Sequence, residues 1–256
     1  MTIGAVIVTY NSKNTVRACI DSVLSEGVSD IVIVDSNSTD GTQLVISNLE
    51  GRVVELSENR GFGFAANTGA YLLNTDCVLF INPDAYLKPG ALSSMMQVMH
   101  SRKKIGAVGG MLVDTQGAPE PYSFGETVTP FGILARARRR QKSVSEPVSV
   151  GWVSGGAILV NRRVFQGIGG FDDSFFLYWE DVDLCRRIKE CGFDVYIDPN
   201  ATVVHVRGAS STDIREKTEL YDASATRYFQ KYYPPFIWST YLIARKIYRL
   251  VRPLAY

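Results

Sequence analysis

Apolar residues run from Ile3 to Val8, and the polar cluster Thr9-Tyr10-Asn11 ends them abruptly. A short apolar run bounded by turn-forming residues predicts a strand buried on both faces. Val16, Ile20, Val23 and Leu24 follow at helical spacing and Gly27 closes the pattern, which predicts a helix with a glycine stop. The alternation then continues. Strands are predicted at Ile31–Val34, Val53–Leu56 and Val78–Ile81, and helices around Leu44–Leu49 and over Ala65–Leu73. Pro89 opens a further helix through Met99, proline being favoured in a first helical turn. This βαβα rhythm predicts an α/β fold with a mostly parallel central sheet flanked by helices. Ligands on such sheets bind beyond the carboxyl ends of the strands.

The second half is less regular. Residues 114–150 are polar and rich in Pro, Ser and Arg, and predict a mobile excursion. Apolar character resumes over Val150–Val160, with Gly155-Gly156 inside it. A helix headed by Glu180-Asp181, strands at Val195–Ile197 and Thr202–Val206, and a helical tail complete the chain.

The polar residues are placed as informatively as the apolar ones. The first strand ends in Thr9-Tyr10-Asn11 and the second in Asp35-Ser36-Asn37-Ser38-Thr39-Asp40-Gly41. The third leads into Asn59-Arg60-Gly61 and on to Asn67, and the fourth ends in Asn82-Pro83-Asp84. One such cluster is ordinary turn chemistry; four on one rim describe a site. Asp35 suits a nucleoside contact or a turn cap. Asp84 suits a turn or a divalent cation, since Mg²⁺ and Mn²⁺ take hard oxygen ligands together with substrate phosphates. His205 closes an apolar strand and reads as packed or as a ligand. His100 lies near a helix C-terminus, where a cation suits the dipole, and is assigned no role. Asp181 reads either as a helix cap or as a general base, held ionised by the helix N-terminus beside aromatic neighbours.

A chain of 256 residues is long enough for one large α/β domain. Its net charge of +1 does not point to nucleic acid. The charge is unevenly placed, however. No acidic residue follows Asp222, while Arg227, Lys231, Arg245, Lys246, Arg249 and Arg252 do, and Arg136, Arg138, Arg139, Arg140 and Lys142 form a second basic cluster. Cys19, Cys77, Cys185 and Cys191 show no CxxC spacing and read as buried, reduced thiols of a cytoplasmic protein. No apolar run reaches the ~18 residues of a membrane span, and the first run reads as a strand, not a signal peptide. Gly61-Phe62-Gly63-Phe64-Ala65-Ala66 matches the dinucleotide fingerprint GxGxxA, which would make the protein an oxidoreductase. That fingerprint belongs in the first βα turn; here it follows the third strand, and the first turn has no glycine.

Taken in order, these elements resemble the family 2 glycosyltransferases of the GT-A fold, and among them bacterial rhamnosyltransferase-type enzymes. The resemblance is carried by Val6-Ile7-Val8-Thr9-Tyr10-Asn11, Val34-Asp35-Ser36-Asn37-Ser38-Thr39-Asp40-Gly41-Thr42, Asn59-Arg60-Gly61-Phe62-Gly63, Asn82-Pro83-Asp84-Ala85, Ser154-Gly155-Gly156-Ala157, Gly169-Gly170-Phe171-Asp172 and Glu180-Asp181-Val182-Asp183-Leu184. It implies a catalytic domain over 1–212, its nucleotide-sugar half at 1–113 and its acceptor half at 114–212, with a helical segment at 213–256. Thr9, Tyr10, Asn11, Asp35, Ser36, Asn59, Arg60, Gly61 and Asn67 would line the nucleotide-sugar pocket. Asn82-Pro83-Asp84 occupies the place of the family's DxD motif, with Asn82 departing from its first aspartate. Asp84 would bridge a divalent cation to the diphosphate, His205 would be a second ligand and Arg207 would help neutralise charge. Gly155, Gly156 and Trp179 would shape the sugar and acceptor site. Asp181 would be the base, with Glu180 the alternative.

The implied reaction is an inverting transfer, with dTDP-rhamnose as the first expected donor and a UDP-hexose or UDP-N-acetylhexosamine as the second. A lipid-linked, cell-surface saccharide is the expected acceptor. Ile237, Tyr241, Ala244, Tyr248 and Val251 share one helical face beside Arg245, Arg249 and Arg252. This predicts an interfacial helix on anionic lipid at the inner membrane face, the alternatives being packing on the domain or a homodimer contact.

Overall fold

The computed structural model describes residues 1–129, 143–206, 214–240 and 242–243. Four strands, β1 (Ile3–Thr9), β2 (Asp30–Asp35), β3 (Arg52–Glu55) and β4 (Cys77–Ile81), pair in parallel in the order β3-β2-β1-β4. Beyond β4 the sheet continues through β10 (Ala157–Asn161), β6 (Ile105–Val113), β11 (Asp194–His205) and β5 (Ala85–Leu87). Strand β10 is antiparallel to both β4 and β6, whereas β6 and β11 are parallel to each other. The carboxyl ends of β1, β2, β4 and β11 therefore share one edge of the sheet.

Alternation along the strands divides the core into two layers, because successive side chains point to opposite faces. Ala5, Ile7, Ile31, Ile33, Leu79 and Ile81 face helices α1 (Val16–Ser25), α2 (Thr42–Ile46) and α4 (Ala91–Ser101). Val6, Val8, Val32, Val34, Val78 and Phe80 face α3 (Phe62–Tyr71), α5 (Arg162–Gly167), α6 (Glu180–Glu190) and α7 (Ile214–Tyr232). Helix α3 lies so close to β1 that a Cβ on Gly69 would meet Val6 at 2.7 Å. Helix α7 contributes Ala225, Tyr228 and Phe229 to the same apolar layer, against which Tyr232 also packs, so the chain after residue 213 is part of this core at least that far.

Several elements depart from the sequence reading. The apolar stretch 150–160 is two strands, β9 (Trp152–Val153) and β10, separated by the turn at Ser154-Gly155-Gly156. The two strands expected at 195–197 and 202–206 are one, bent by a register shift between Asp198 and Thr202. Asp198, fully buried, absorbs that irregularity by accepting from Asn200 N and Ser94 Oγ. The helix expected to open at Pro89 starts two residues later, after Gly90 in the left-handed conformation. The excursion after residue 113 is tied at both ends: β7 (Phe124–Gly125) pairs with β9, and β8 (Val148–Ser149) with β11. The basic cluster at 136–142 lies outside the described residues. Cys19, Cys77 and Cys185 are buried as expected, but Cys191, following the last turn of α6, is exposed.

Candidate active site

At the carboxyl ends of β1 and β2 the expected nucleoside residues form a closed hydrogen-bonded frame. Asp35 is fully buried. Its Oδ1 accepts from Thr9 Oγ1 at 2.8 Å and Ser38 Oγ at 2.6 Å, and its Oδ2 from Ser38 N at 2.9 Å and Gln43 Nε2 at 3.0 Å. Asn11, at φ 51°, donates its backbone N–H to Ser38 Oγ and accepts from Thr39 N. Of the two roles open to Asp35, the geometry shows the loop-organising one. Tyr10 is exposed at the rim. Ser36 buries a hydroxyl that has no partner among the described residues.

The segment after β3 is also spent largely on itself. Asn59 Oδ1 accepts from Gly61 N at 3.0 Å, and the Arg60 guanidinium lies 3.7 Å over the Phe64 ring. Gly61 adopts φ 91°, and any Cβ there would collide with the Phe176 carbonyl. That close approach, with Phe62 N donating to Phe176 O at 2.9 Å, accounts for the glycine without a dinucleotide. Asn67 departs from the pocket role expected of it. Both ends of its amide are engaged by the Phe171 backbone, each at 2.9 Å, so it brackets α3 to the loop preceding α6.

The centre of the rim is Asn82-Pro83-Asp84, between β4 and β5. Asn82 N donates to Gly156 O at 3.1 Å, which sets the Gly155-Gly156 turn beside it. Because β5 runs back antiparallel to β11, His205 is registered against Ala85. This places His205 Nε2 3.3 Å from Asp84 Oδ1. The other ring nitrogen, Nδ1, lies 3.2 Å from the buried carboxylate of Glu120. Burial opposes the imidazolium, but the Asp84 carboxylate, and after it Glu120, raise the His205 pKa above its ordinary value. Arg207 lies outside the described residues.

Among the described residues no group of three or more His, Cys, Asp and Glu side chains converges as a metal cage. Asp84 and His205 offer one oxygen and one nitrogen at the strand ends. Such a sparse set fits Mg²⁺ or Mn²⁺ shared with a substrate diphosphate, because these ions are commonly held by one or two protein groups plus waters and phosphates.

The helix α6 begins under strain. Tyr178 and Trp179 both lie at positive φ, 68° and 69°, a conformation costing bulky residues ~1–3 kcal/mol each. Trp179 packs against Tyr221, Tyr228 and Phe229 of α7. It is buried in the aromatic core, not set as the wall of a sugar pocket, and its indole N–H has no partner among the described residues. The two carboxyls that follow differ sharply. Asp181 Oδ2 accepts from Gly155 N at 2.9 Å and Oδ1 from Val182 N at 2.7 Å. Burial raises its pKa and these two N–H groups oppose the rise. Glu180 is buried with Oε2 unpartnered among the described residues, and burial, with the Asp181 charge second, pushes its pKa up to about 8. Because the Asp181 charge is one cause of the rise at Glu180, Asp181 is the carboxyl of the pair that ionises first.

Residues that sequence reading passed over hold this helix in place. Asp183, fully buried, accepts from Arg187 Nε, Lys231 Nζ and Tyr232 Oη, each at 2.7 Å. Arg187 also donates to the carbonyls of Ile168 and Gly170. The Asp183–Arg187 pair was visible as an i,i+4 spacing; Lys231, Tyr232 and Glu120 carried no local signal.

The geometry agrees with the relationships of the chain. An N-acetylglucosaminyl-diphospho-decaprenol L-rhamnosyltransferase of Mycobacterium tuberculosis is 29% identical over 217 residues, covering 74% of this chain and 70% of that protein. The rhamnosyltransferase WbbL of Escherichia coli is 25% identical over 137 residues, covering 51% and 52% of the two. A mannosyltransferase of Pyrobaculum calidifontis, solved with GDP-Man and Mn²⁺, matches with a TM-score of 0.60 at 18% identity over 98% of this chain and 76% of that one. Identity that low carries the fold alone, which is GT-A. Residues 5–169 match the model described as glycosyl transferase family 2, and the chain belongs to that family as a glycosyltransferase related to rhamnosyltransferases.

Proposed function

We propose that the protein transfers L-rhamnose from dTDP-rhamnose, with inversion, to a hydroxyl of a lipid-linked saccharide. The observation that carries this reading is Asp181. It is a carboxylate fixed by two backbone N–H groups, and its turn partner Gly155-Gly156 is hydrogen-bonded to Asn82 at the diphosphate end of the rim. The donor and acceptor follow the M. tuberculosis relative, which is named for an L-rhamnosyl transfer to a diphospho-decaprenol saccharide.

In the proposed reaction the acceptor hydroxyl oxygen attacks the anomeric carbon as the bond to the diphosphate oxygen breaks. The hydroxyl proton passes to Asp181, a step typically worth ~10²–10⁴-fold in rate. The buried, protonated Glu180 keeps a second negative charge away from the attacking oxygen. Asp84 and His205 would hold the divalent cation, Mg²⁺ or Mn²⁺, which when bound offsets negative charge on the departing nucleoside diphosphate. A single displacement inverts the anomeric centre.

The lipid-linked acceptor is consistent with membrane-surface binding by the C-terminal segment. Phe236 and Ile243 are 71% and 61% exposed, and basic residues follow them in the sequence. Trp238 and Leu242, by contrast, pack on the core, so the apolar face is shared between the domain and its surroundings. Tyr241 and residues 244–256 lie outside the described residues, and among those described no helix is long and apolar enough to cross a membrane.

The test is a donor panel of dTDP-rhamnose, UDP-glucose and UDP-N-acetylglucosamine with a polyprenyl-diphosphate saccharide acceptor, with and without chelator. Transfer from dTDP-rhamnose alone, with an inverted linkage by NMR, is the expected result. Transfer only from a UDP-sugar would replace the donor, and a retained configuration would replace the mechanism.

A further inference from the structure

We infer that Glu120 is a positioning residue for the cation site, fixing the ring of His205 so that Nε2 is offered toward Asp84. This rests on Asp84 and His205 being the cation ligands. Glu120 reaches the site from the excursion after β6, 85 residues away in sequence. Its backbone is tied three ways: Glu120 N donates to Leu112 O at 2.9 Å, Ser123 Oγ donates to Glu120 O at 3.0 Å, and the neighbouring Pro119 bridges to Val113. The carboxylate is 5% exposed and lies 3.2 and 3.3 Å from His205 Nδ1 through its two oxygens.

A neutral imidazole places its proton on either nitrogen, and the partner of one nitrogen decides which. A carboxylate on Nδ1 demands a donor there, which leaves the lone pair on Nε2. That nitrogen is the one 3.3 Å from Asp84 Oδ1. A buried carboxylate is costly unless paired, so packing alone does not account for an acid at this position. The same geometry makes the ring a stronger ligand, because an anionic partner on one nitrogen raises the basicity of the other. Glu120 is thus the outer partner in a carboxylate–imidazole–cation arrangement, and it connects the excursion over 114–123 to the diphosphate end of the site.

Mn²⁺ titration followed by electron paramagnetic resonance, in the presence of UDP or dTDP, tests this on the full chain. Glu120→Ala is expected to weaken Mn²⁺ binding by ~10–100-fold, the range found for lost outer partners of metal-bound histidines. Glu120→Gln, which keeps an acceptor oxygen without the charge, is expected to fall between Glu120→Ala and the parent. ¹⁵N spectra of metal-free Asp84→Asn protein, in which no carboxylate draws a proton to Nε2, assigned with a His100→Gln control, should show His205 protonated at Nδ1. Adding Glu120→Ala should give a tautomer mixture. If His205→Ala weakens Mn²⁺ binding while both Glu120 variants bind like the parent, the positioning role is wrong and the cation site stands. If the parent binds no Mn²⁺ with either nucleotide, the cation site itself falls, and the role of Glu120 with it. Should Glu120→Ala fail to fold, parent-like affinity in Glu120→Gln together with a ring protonated at Nε2 alone in Asp84→Asn overturns the inference.

Discussion

At the ends of β1 and β2, Asp35 accepts four hydrogen bonds from Thr9, Ser38 and Gln43. At the start of α6, Glu180 buries an oxygen and Trp179 an indole N–H with no partner among the described residues, behind two aromatic residues at positive φ. Both regions lie on the functional rim and both are rich in polar groups. The first has closed its hydrogen-bonding capacity on itself and acts as a rigid frame. Its exception is Ser36, whose buried hydroxyl is unpartnered among the described residues. The second holds strain and open capacity, which persist in a fold only where the surroundings enforce them. In the proposed function, the asymmetry separates the region that would shape the donor pocket from the one that would perform the chemistry.

The largest expected effect follows from removing the proposed base. Asp181→Asn should lower kcat by ~10²–10⁴-fold while donor binding, measured by calorimetry, stays near the parent value. Activity within tenfold of the parent would move the base elsewhere, Glu180 being the neighbour to examine. The next effect concerns Glu180 and has a definite sign. Its folded pKa, about 8, lies above the ~4.3 of an unfolded chain, so the neutral acid is the form that the fold favours. The stability linked to it is fully present below about pH 4 and is lost progressively as pH rises toward 8. Glu180→Gln imitates the neutral acid. It should therefore match the parent at pH 4 and exceed it at pH 9, by at least the ~2–4 °C in Tm that ~1 kcal/mol produces in a chain of this size. Equal melting at both pH values would show that Glu180 is ionised in the fold, and would remove the distinction between the two carboxyls.

The strands of the first half were legible because continuous apolar runs end in polar clusters, and those clusters marked the rim. The antiparallel strand β10 was not. Val150–Val160 reads as one apolar run, and only the Gly156–Asn82 contact shows where it turns into the sheet. Side-chain direction was equally hidden. Trp179 has the composition of a sugar-stacking residue but faces the aromatic residues of α7, and Asn67 has the composition of a ligand contact but serves the Phe171 backbone. Spacing along a chain tells which residues share a face of one helix. It says nothing of a partner 85 positions away, which is why Glu120 went unseen beside His205.

On the frame side, Asp35→Asn places a buried N–H₂ where two donors already point. A loss of ~1–3 kcal/mol in stability is expected, with donor affinity falling as a consequence of the loosened loop. Chemical denaturation and donor titration together separate the two. If affinity falls and stability does not, Asp35 contacts the nucleoside directly, and the donor half is less closed than the hydrogen bonds indicate.

The smallest effect decides how far the closed frame extends. Arg60 is exposed, with its guanidinium 3.7 Å above Phe64, an arrangement worth ~0.5–1 kcal/mol at a surface. If that stacking is its main role, Arg60→Ala should lower stability by about this amount and leave dTDP binding within twofold. Arg60→Lys should recover part of the loss, since a lysine cation also lies favourably over a ring but without the planar stacking of a guanidinium. A tenfold loss of nucleotide affinity at unchanged stability would instead mean that Arg60 leaves Phe64 to meet the diphosphate. The segment from Asn59 to Gly61 would then belong with the open, reactive side of the rim, and the rigid frame would end at β2.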